Sequence, residues 1–122
     1  MNKVTKESID AKIKEVHYQR LSDKITHCII ILENGFQVTG ESACVDPANY
    51  NQEIGEKIAY ENAFDKIWLV EGYLLQEDLF RKKAYEYSEA DELEYRGAKD
   101  AADRRRKYAE ELYPNVPLKV KK

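Results

Sequence analysis

Cys44, His27 and Asp46 are the residues whose types and spacing come closest to a reactive site. Cys44 comes just before a predicted helix start, where unpaired amides and the helix dipole favour an anion and activate a thiol. A Cys–His pair oriented by a carboxylate is a recognised nucleophile arrangement. In the structural alternative, Cys44 is a small buried apolar residue, His27 ends a strand and Asp46 is a cap. Because capping alone explains Asp46, the sequence predicts a non-enzymatic protein, with a Cys44 thiol enzyme as the alternative.

The same corner is also a candidate binding surface for a small anion or a partner. Helix N-termini attract anions such as nucleotide phosphates. Glu53 and Lys57 lie four residues apart on the predicted helix, a spacing that is equally typical of a solvated helix face. With no glycine-rich phosphate loop and no metal-ligand spacing, we expect no cofactor and no metal. The residues of this candidate surface are Ser42, Cys44, Asp46, Asn49, Glu53, Lys57 and Tyr60.

A second candidate surface lies in the charged C-terminal region. The chain holds nine tyrosines, more than a small core needs, and tyrosine is favoured in protein interfaces. A basic run nearby, followed by Lys119, Lys121 and Lys122, could contact phosphates, but acidic residues flank it and the net charge is -3. We therefore expect a protein partner and not nucleic acid. The residues of this surface are Tyr85, Tyr87, Tyr95, Arg104, Arg105 and Arg106.

The elements that must position these residues begin with a helix. Thr5 is a suitable N-cap, and Val4 before it can pack on Ile9 as a hydrophobic staple. Apolar residues at helical spacing then predict an amphipathic helix from Lys6 to Arg20.

Two apolar, β-favouring runs follow, separated by Asn34-Gly35, a strong signal for a two-residue type I′ hairpin turn. That turn would pair Ile31 with Val38 and His27 with Ser42. In this register His27 lies diagonally across from Cys44. The predicted core face carries Phe36, Val38, Gly40, Ser42 and Cys44 together with His27, Ile29 and Ile31.

Asp46-Pro47 predicts the start of a long helix of six or seven turns, with Gly72 as a break. Gly55 permits a close contact with the sheet, and Gly40 is its predicted counterpart. After Asp78 the chain is rich in charge and helix formers. The fold class is therefore α+β: an N-terminal helix, a β-hairpin, a long helix packed on the hairpin and a charged helical C-terminal region.

The predicted organisation is a core domain over residues 1–78, a helical extension over 79–113 interrupted at Gly97, and a disordered tail over 114–122. The extension packs on the core or on a second copy, which leaves a homodimer open. The longest apolar run, from Cys28 to Leu32, is too short for a membrane span, and the N-terminus lacks a signal-peptide pattern. We expect a cytoplasmic protein with reduced thiols and no membrane partner.

The stretch from Cys28 to Leu75 resembles the gene-product-forty-nine family of small tailed-phage and prophage proteins, of coliphage N-four and Shigella phage Sf-six type. The features that carry the resemblance are the "GESACVDPANY" corner, the "AYENA" step, Trp68 and "EGYLL". The resemblance implies a phage accessory protein without an established activity. It favours a stoichiometric binder of a host protein, such as an anti-CRISPR-like inhibitor of host defence. The alternative is a protein that binds or sequesters a nucleotide at the corner.

Overall fold

The computed structural model describes residues 3–118, which form two compact units, one up to Gly72 and one from Tyr73 onward. The predicted α+β class is confirmed, with a three-stranded antiparallel sheet in place of a simple hairpin. The elements in chain order are α1 Lys6–Asp10, β1 Ile13–Arg20, β2 Ile25–Leu32, β3 Gln37–Ala43, a 3-10 turn Pro47–Asn49, α2 Gln52–Tyr95 and α3 Lys99–Leu112.

The first helix begins as predicted but ends after little more than one turn. Thr5 caps α1 in a capping box with Ser8, and both hydrogen bonds of the box measure 3.0 Å. The prediction of helix up to Arg20 is wrong, because β1 follows instead. A bulge shifts the β1–β2 register between residues 13 and 15, so Ile13 and Val16 both pack against the core. The bulge reproduces the three-residue apolar spacing of a helix within a strand.

The predicted hairpin is present, but its register is wrong by one residue. The Leu32 amide donates to the Phe36 carbonyl at 2.9 Å, so the loop has three residues and its glycine, Gly35, has a φ of 91°. Ile30 therefore pairs with Val38. The slip keeps the predicted core face of β3 and exchanges the faces of β2, because side chains alternate along a strand.

The core of the first unit lies between the sheet and the first part of α2. At its centre the backbone of β3 at Gly40 lies directly against α2, where a Cβ would overlap the backbone of Ala59 and Ala63. Gly55 also faces the sheet as predicted, but it meets Thr26 and Ser42 and not Gly40. The buried core residues are Ile9, Cys28, Ile30, Leu32, Val38, Ala59, Ala63, Phe64 and Ile67.

The long helix starts later and runs further than predicted. Asp46 is a cap, but of the 3-10 turn, where its Oδ1 accepts from the Ala48 amide at 3.0 Å. Asn51 caps α2 instead, accepting from the Ile54 amide at 3.0 Å. The predicted break at Gly72 is wrong, because α2 is one helix of 44 residues.

In the second unit α3 packs antiparallel on the last part of α2, after an interruption at Gly97 as predicted, where φ is 90°. We call this pair the helical hairpin. Lys83 is 2% exposed, and its ammonium donates to the carbonyls of Tyr113 at 3.0 Å and Val116 at 2.7 Å. Lys83 therefore holds the chain at Val116 against α2. This residue falls within the predicted disordered tail over 114–122, of which residues 119–122 lie outside the described part of the chain.

Candidate functional site

The polar groups of the corner after β3 bond mainly to the chain itself. Ser42 Oγ donates to the Gly55 carbonyl at 2.6 Å, which joins β3 to the first turn of α2. Thr26 Oγ1 and the Tyr50 hydroxyl lie 3.2 Å apart. Glu53 adds a negative charge to the first turn of α2, where an anionic ligand would bind. The geometry is that of a structural corner.

A cation–π contact fixes the other side of the corner. The Arg20 guanidinium lies 3.6 Å from the centroid of the Tyr50 ring, and it donates to the carbonyls of Ser22 and Asp23 at 3.1 and 2.8 Å. This arginine therefore ties the end of β1 to the segment before α2.

The two thiols and His27 do not adopt the predicted arrangement. His27 pairs with Glu41 on the face of the sheet that points away from α2, because the register differs by one residue from the prediction. Cys44 is half-buried after β3, and Cys28 is buried in the core, where burial raises the pKa of its thiol. The Cys44–His27 pairing thus rested on a register that the structure does not have.

The remaining residues of the first candidate surface are divided between solvent and core. Asn49, Glu53 and Lys57 are exposed. Tyr60 is partly buried against the core, its ring centroid lies 5.8 Å from that of Phe64, and burial raises the pKa of its hydroxyl. Three of these four side chains therefore face solvent, and the fourth packs on the core.

Half of the predicted C-terminal surface is used to hold the helical hairpin together. The Tyr87 hydroxyl donates to Glu110 at 2.8 Å, and Arg105 donates to Glu86 at 2.7 Å. Arg106 contacts Asp91, Glu94 and Asp103. Hydrogen bonds from Lys83 and Tyr87 lower the pKa of the Glu110 carboxyl.

The other half of that surface is open to solvent. Tyr95 is 89% exposed, Tyr85 is 58% exposed and Arg104 is exposed. Because carboxylates neutralise the two neighbouring arginines, the basic run offers little charge to a nucleic acid. Lys119, Lys121 and Lys122, the other candidate phosphate contacts, lie outside the described residues.

The sequence reasoning missed one further surface of the first unit, which we call the outer sheet face. It is the side of the sheet that points away from α2. Its centre is formed by three half-buried isoleucines of β2, and its flanks are exposed polar residues of β1 and β3. The centre consists of Ile25, Ile29 and Ile31 with His27, and the flanks are Glu15, His17 and Gln19 on β1 and Gln37, Thr39 and Glu41 on β3.

A signal for this face was present in the sequence. The run from Cys28 to Leu32 is apolar at every position, so a strand there must present apolar side chains on both faces.

Both histidines of the chain also lie on the outer sheet face. His17 Nε2 is 2.9 Å from Glu15 Oε2, and this contact lowers the pKa of the Glu15 carboxyl.

The second unit contains an open groove beside the helical hairpin. Its volume is about 1410 Å³, and aromatic residues of α2 face the segment after α3 across it. The principal groove residues are Tyr73, Phe80, Tyr87, Pro114, Val116 and Leu118.

Over residues 3–118 no cluster of three or more histidine, cysteine or carboxylate side chains is placed to bind a metal. No helix in that range has a stretch long and apolar enough to span a membrane.

Comparison with known proteins gives one match. The sequence model of the phage protein (N4 Gp49/phage Sf6 gene 66) family matches residues 4–79, which is more than half of the chain. This range includes the whole sheet and ends before α3. No curated protein and no solved structure matches.

Proposed function

Because the chain belongs to the phage protein (N4 Gp49/phage Sf6 gene 66) family, we propose that it is a non-enzymatic phage accessory protein that binds a host protein and inhibits or redirects it. The observation that carries the proposal is the outer sheet face. This face lies within the part of the chain that matches the family, whereas most of the helical hairpin lies outside it.

The central strand β2 is apolar on both of its faces, yet α2 covers only one of them. Cys28, Ile30 and Leu32 are buried under α2, while Ile29 and Ile31 on the other side are only half-buried. Strands that are apolar on both faces normally occur in sheets that are covered on both sides. A protein partner would supply the missing cover.

A protein partner fits this surface better than a small molecule. Small-molecule sites are concave and enclose most of their ligand, whereas the face of a sheet is open. An apolar centre with a polar rim is the usual anatomy of a protein interface. The alternative of a nucleotide-binding protein would use the corner at residues 42–49, where Ser42 and Asp46 already bond within the chain.

The kind of host protein is proposed from context. Small phage proteins outside the virion often bind and block host machinery, including defence nucleases. We therefore place the target in a host-defence system, as for an anti-CRISPR protein. Tyr85, Tyr95 and Arg104 are also exposed and are further candidates for contact with such a partner.

Affinity capture from a host lysate tests the proposal, with the tagged full-length chain compared with an Ile29→Gln/Ile31→Gln double variant. A matched control, Ile54→Gln/Ile58→Gln, makes the same change at two isoleucines of α2 that are 56% and 42% exposed. We expect one host protein at near-equal stoichiometry with the wild type and the control. The sheet-face variant should retain about tenfold less, because buried apolar anchors dominate interface energies.

Circular dichroism and urea unfolding establish first that all three proteins are folded. An empty capture with the folded wild type would contradict the proposed function. Equal capture by the sheet-face variant would show that the outer sheet face is not the binding surface.

A further inference from the structure

Resting on the proposed function, we infer that the outer sheet face binds one amphipathic α-helix of the partner, with apolar residues along its centre and basic residues along its flanks. The inference concerns the secondary structure and charge of the partner segment. It is carried by the dimensions of the face, by the way the opposite face is covered, and by the carboxylates on the flanks.

The dimensions of the sheet match a single helix. β1 and β2 have eight residues each, which corresponds to about 27 Å at about 3.4 Å per residue. Three strands about 4.8 Å apart span about 14 Å. A helix is about 10–12 Å in diameter, and about 18 residues of it cover 27 Å. The inner face of the same sheet is covered largely by one helix, α2, through Ala59, Ala63 and Ile67, and Ile9 of α1 completes the same core.

A second copy of the chain packed face to face is a poorer match. The face has an area of about 380 Å², so two copies would bury only about 760 Å² in total. Stable specific interfaces bury about 1,200–2,000 Å². A helix covers no more of this face than that, so it binds stably only when the rest of its protein adds contacts outside the face.

An added strand at the free edge of β3 is also disfavoured. Backbone groups of successive residues along an antiparallel strand point alternately to the two sides. The bond from the Leu32 amide to the Phe36 carbonyl shows that the even-numbered residues of β3 bond to β2. The backbone groups of Glu41 therefore point to the free edge. The Asn62 side chain already donates to the Glu41 carbonyl at 2.7 Å. α2 thus occupies one of the acceptors that an added strand would need.

The charges on the flanks determine which helix fits. Carboxylates lie on both sides of the isoleucine centre, Glu15 on β1 and Glu41 on β3. Lys14 and His17 lie close to Glu15 and offset part of its charge, whereas Glu41 has His27 directly opposite and makes no ion pair with another described residue, so Glu41 is the stronger attraction. Lysine or arginine on the flanks of the bound helix would meet these carboxylates, and acidic flanks would be repelled.

Two synthetic probes test the inference on the purified full-length chain. Both are 18-residue helical peptides with the same leucine stripe, and their flanking residues are all lysine in one and all glutamate in the other. Amide shifts of the ¹⁵N-labelled protein report both affinity and location. We expect the lysine peptide to bind about tenfold more tightly, a difference of about 1.4 kcal/mol, with its largest shifts on β2.

Two pairs of variants isolate the contacts. Glu41→Lys should remove most of the preference for the lysine peptide, whereas Glu61→Lys, which makes the same change on the exposed side of α2, should preserve it. Ile29→Gln should weaken binding about tenfold, and Ile58→Gln should not. Glu41→Lys changes an exposed side chain and so keeps the test valid if Ile29→Gln fails to fold.

Three results would each overturn the inference. The first is no binding at millimolar peptide, and the second is equal or tighter binding of the glutamate peptide. The third is amide shifts confined to the β3 edge or to the helical-hairpin groove. Its failure is distinct from failure of the proposed function. Host-protein capture that depends on Ile29 and Ile31 would still support a protein partner, one that does not present a basic helix.

Discussion

Gly40→Ala adds one methyl group at the closest approach between the sheet and α2. The new Cβ would lie 2.9 Å from the Ala63 Cα and would overlap the Ala63 nitrogen and the Ala59 carbonyl oxygen. All three are backbone atoms, so no side chain can rotate away. β3 and α2 must therefore move apart along their contact.

The size of the effect follows from this geometry. Overpacking in a well-packed core costs about 1–3 kcal/mol, and a clash with helix backbone belongs at the upper end, so we expect a loss of about 3 kcal/mol. At about 4 °C per kcal/mol for a domain of this size, the melting temperature should fall by about 12 °C. Gly72→Ala is the matched control, because its Cβ would have no neighbour within 4 Å. It should stabilise α2 by about 1 kcal/mol through helix propensity.

Trp68 provides the assay. It is the one tryptophan of the chain, and its ring packs edge-on against Phe64 in the core, with a centroid distance of 6.3 Å. Urea unfolding followed by tryptophan fluorescence therefore reports the first unit. A Gly40→Ala midpoint indistinguishable from that of the wild type would refute the close approach. A loss of stability in Gly72→Ala would refute the assignment of Gly72 to an unstrained helix interior.

Three further predictions concern the second unit and the thiols. Lys83→Met should destabilise the helical hairpin by about 2 kcal/mol, because two backbone carbonyls lose their donor; urea unfolding followed by circular dichroism measures the loss. The lowered pKa of Glu110 means that its stabilising effect is present above the ordinary carboxyl value of 4.5 and is lost as the pH falls towards the folded-state pKa. The helicity of Glu110→Gln should therefore depend less on pH in this range than that of the wild type, and an unchanged acid transition would contradict this. Iodoacetamide should modify Cys44 at the rate of an ordinary thiol and Cys28 only on unfolding, because Cys28 is buried; fast reaction at Cys44 would revive a thiol mechanism.

The local signals in the sequence predicted element types better than register. Thr5 and Asp46 are caps, as their side chains indicate, and Gly97 interrupts the C-terminal helices as expected. Asn34-Gly35 marks the turn, but the Asn34 side chain accepts from the Phe36 amide at 2.9 Å within a three-residue loop. Two-residue and three-residue loops share this dipeptide, and one residue of difference exchanges the faces of β2.

The predicted Cys44–His27 pairing followed from that register and failed with it. His27 belongs to the outer sheet face and not to the side that carries Ser42, so the corner has no histidine partner for its thiol. The bulge between Ile13 and Glu15 hid β1, because it gives a strand the apolar spacing of a helix. Without β1 the sheet had no flank on that side, and an outer face with two polar borders could not be predicted.

The helical hairpin has a consequence for how the chain responds to ionic strength. Its buried apolar residues are few and small, mainly alanines, so hydrophobic burial contributes little to its stability. Its helices are joined instead by ion pairs near the surface, which dissolved salt screens. Molar salt should therefore loosen the second unit while leaving the isoleucine core of the first intact, so that buffer composition alone separates the contributions of the two units to any measured activity. The residues concerned are Ala90, Ala102 and Ala109 in the interior and the pairs Arg105–Glu86 and Arg106–Asp91.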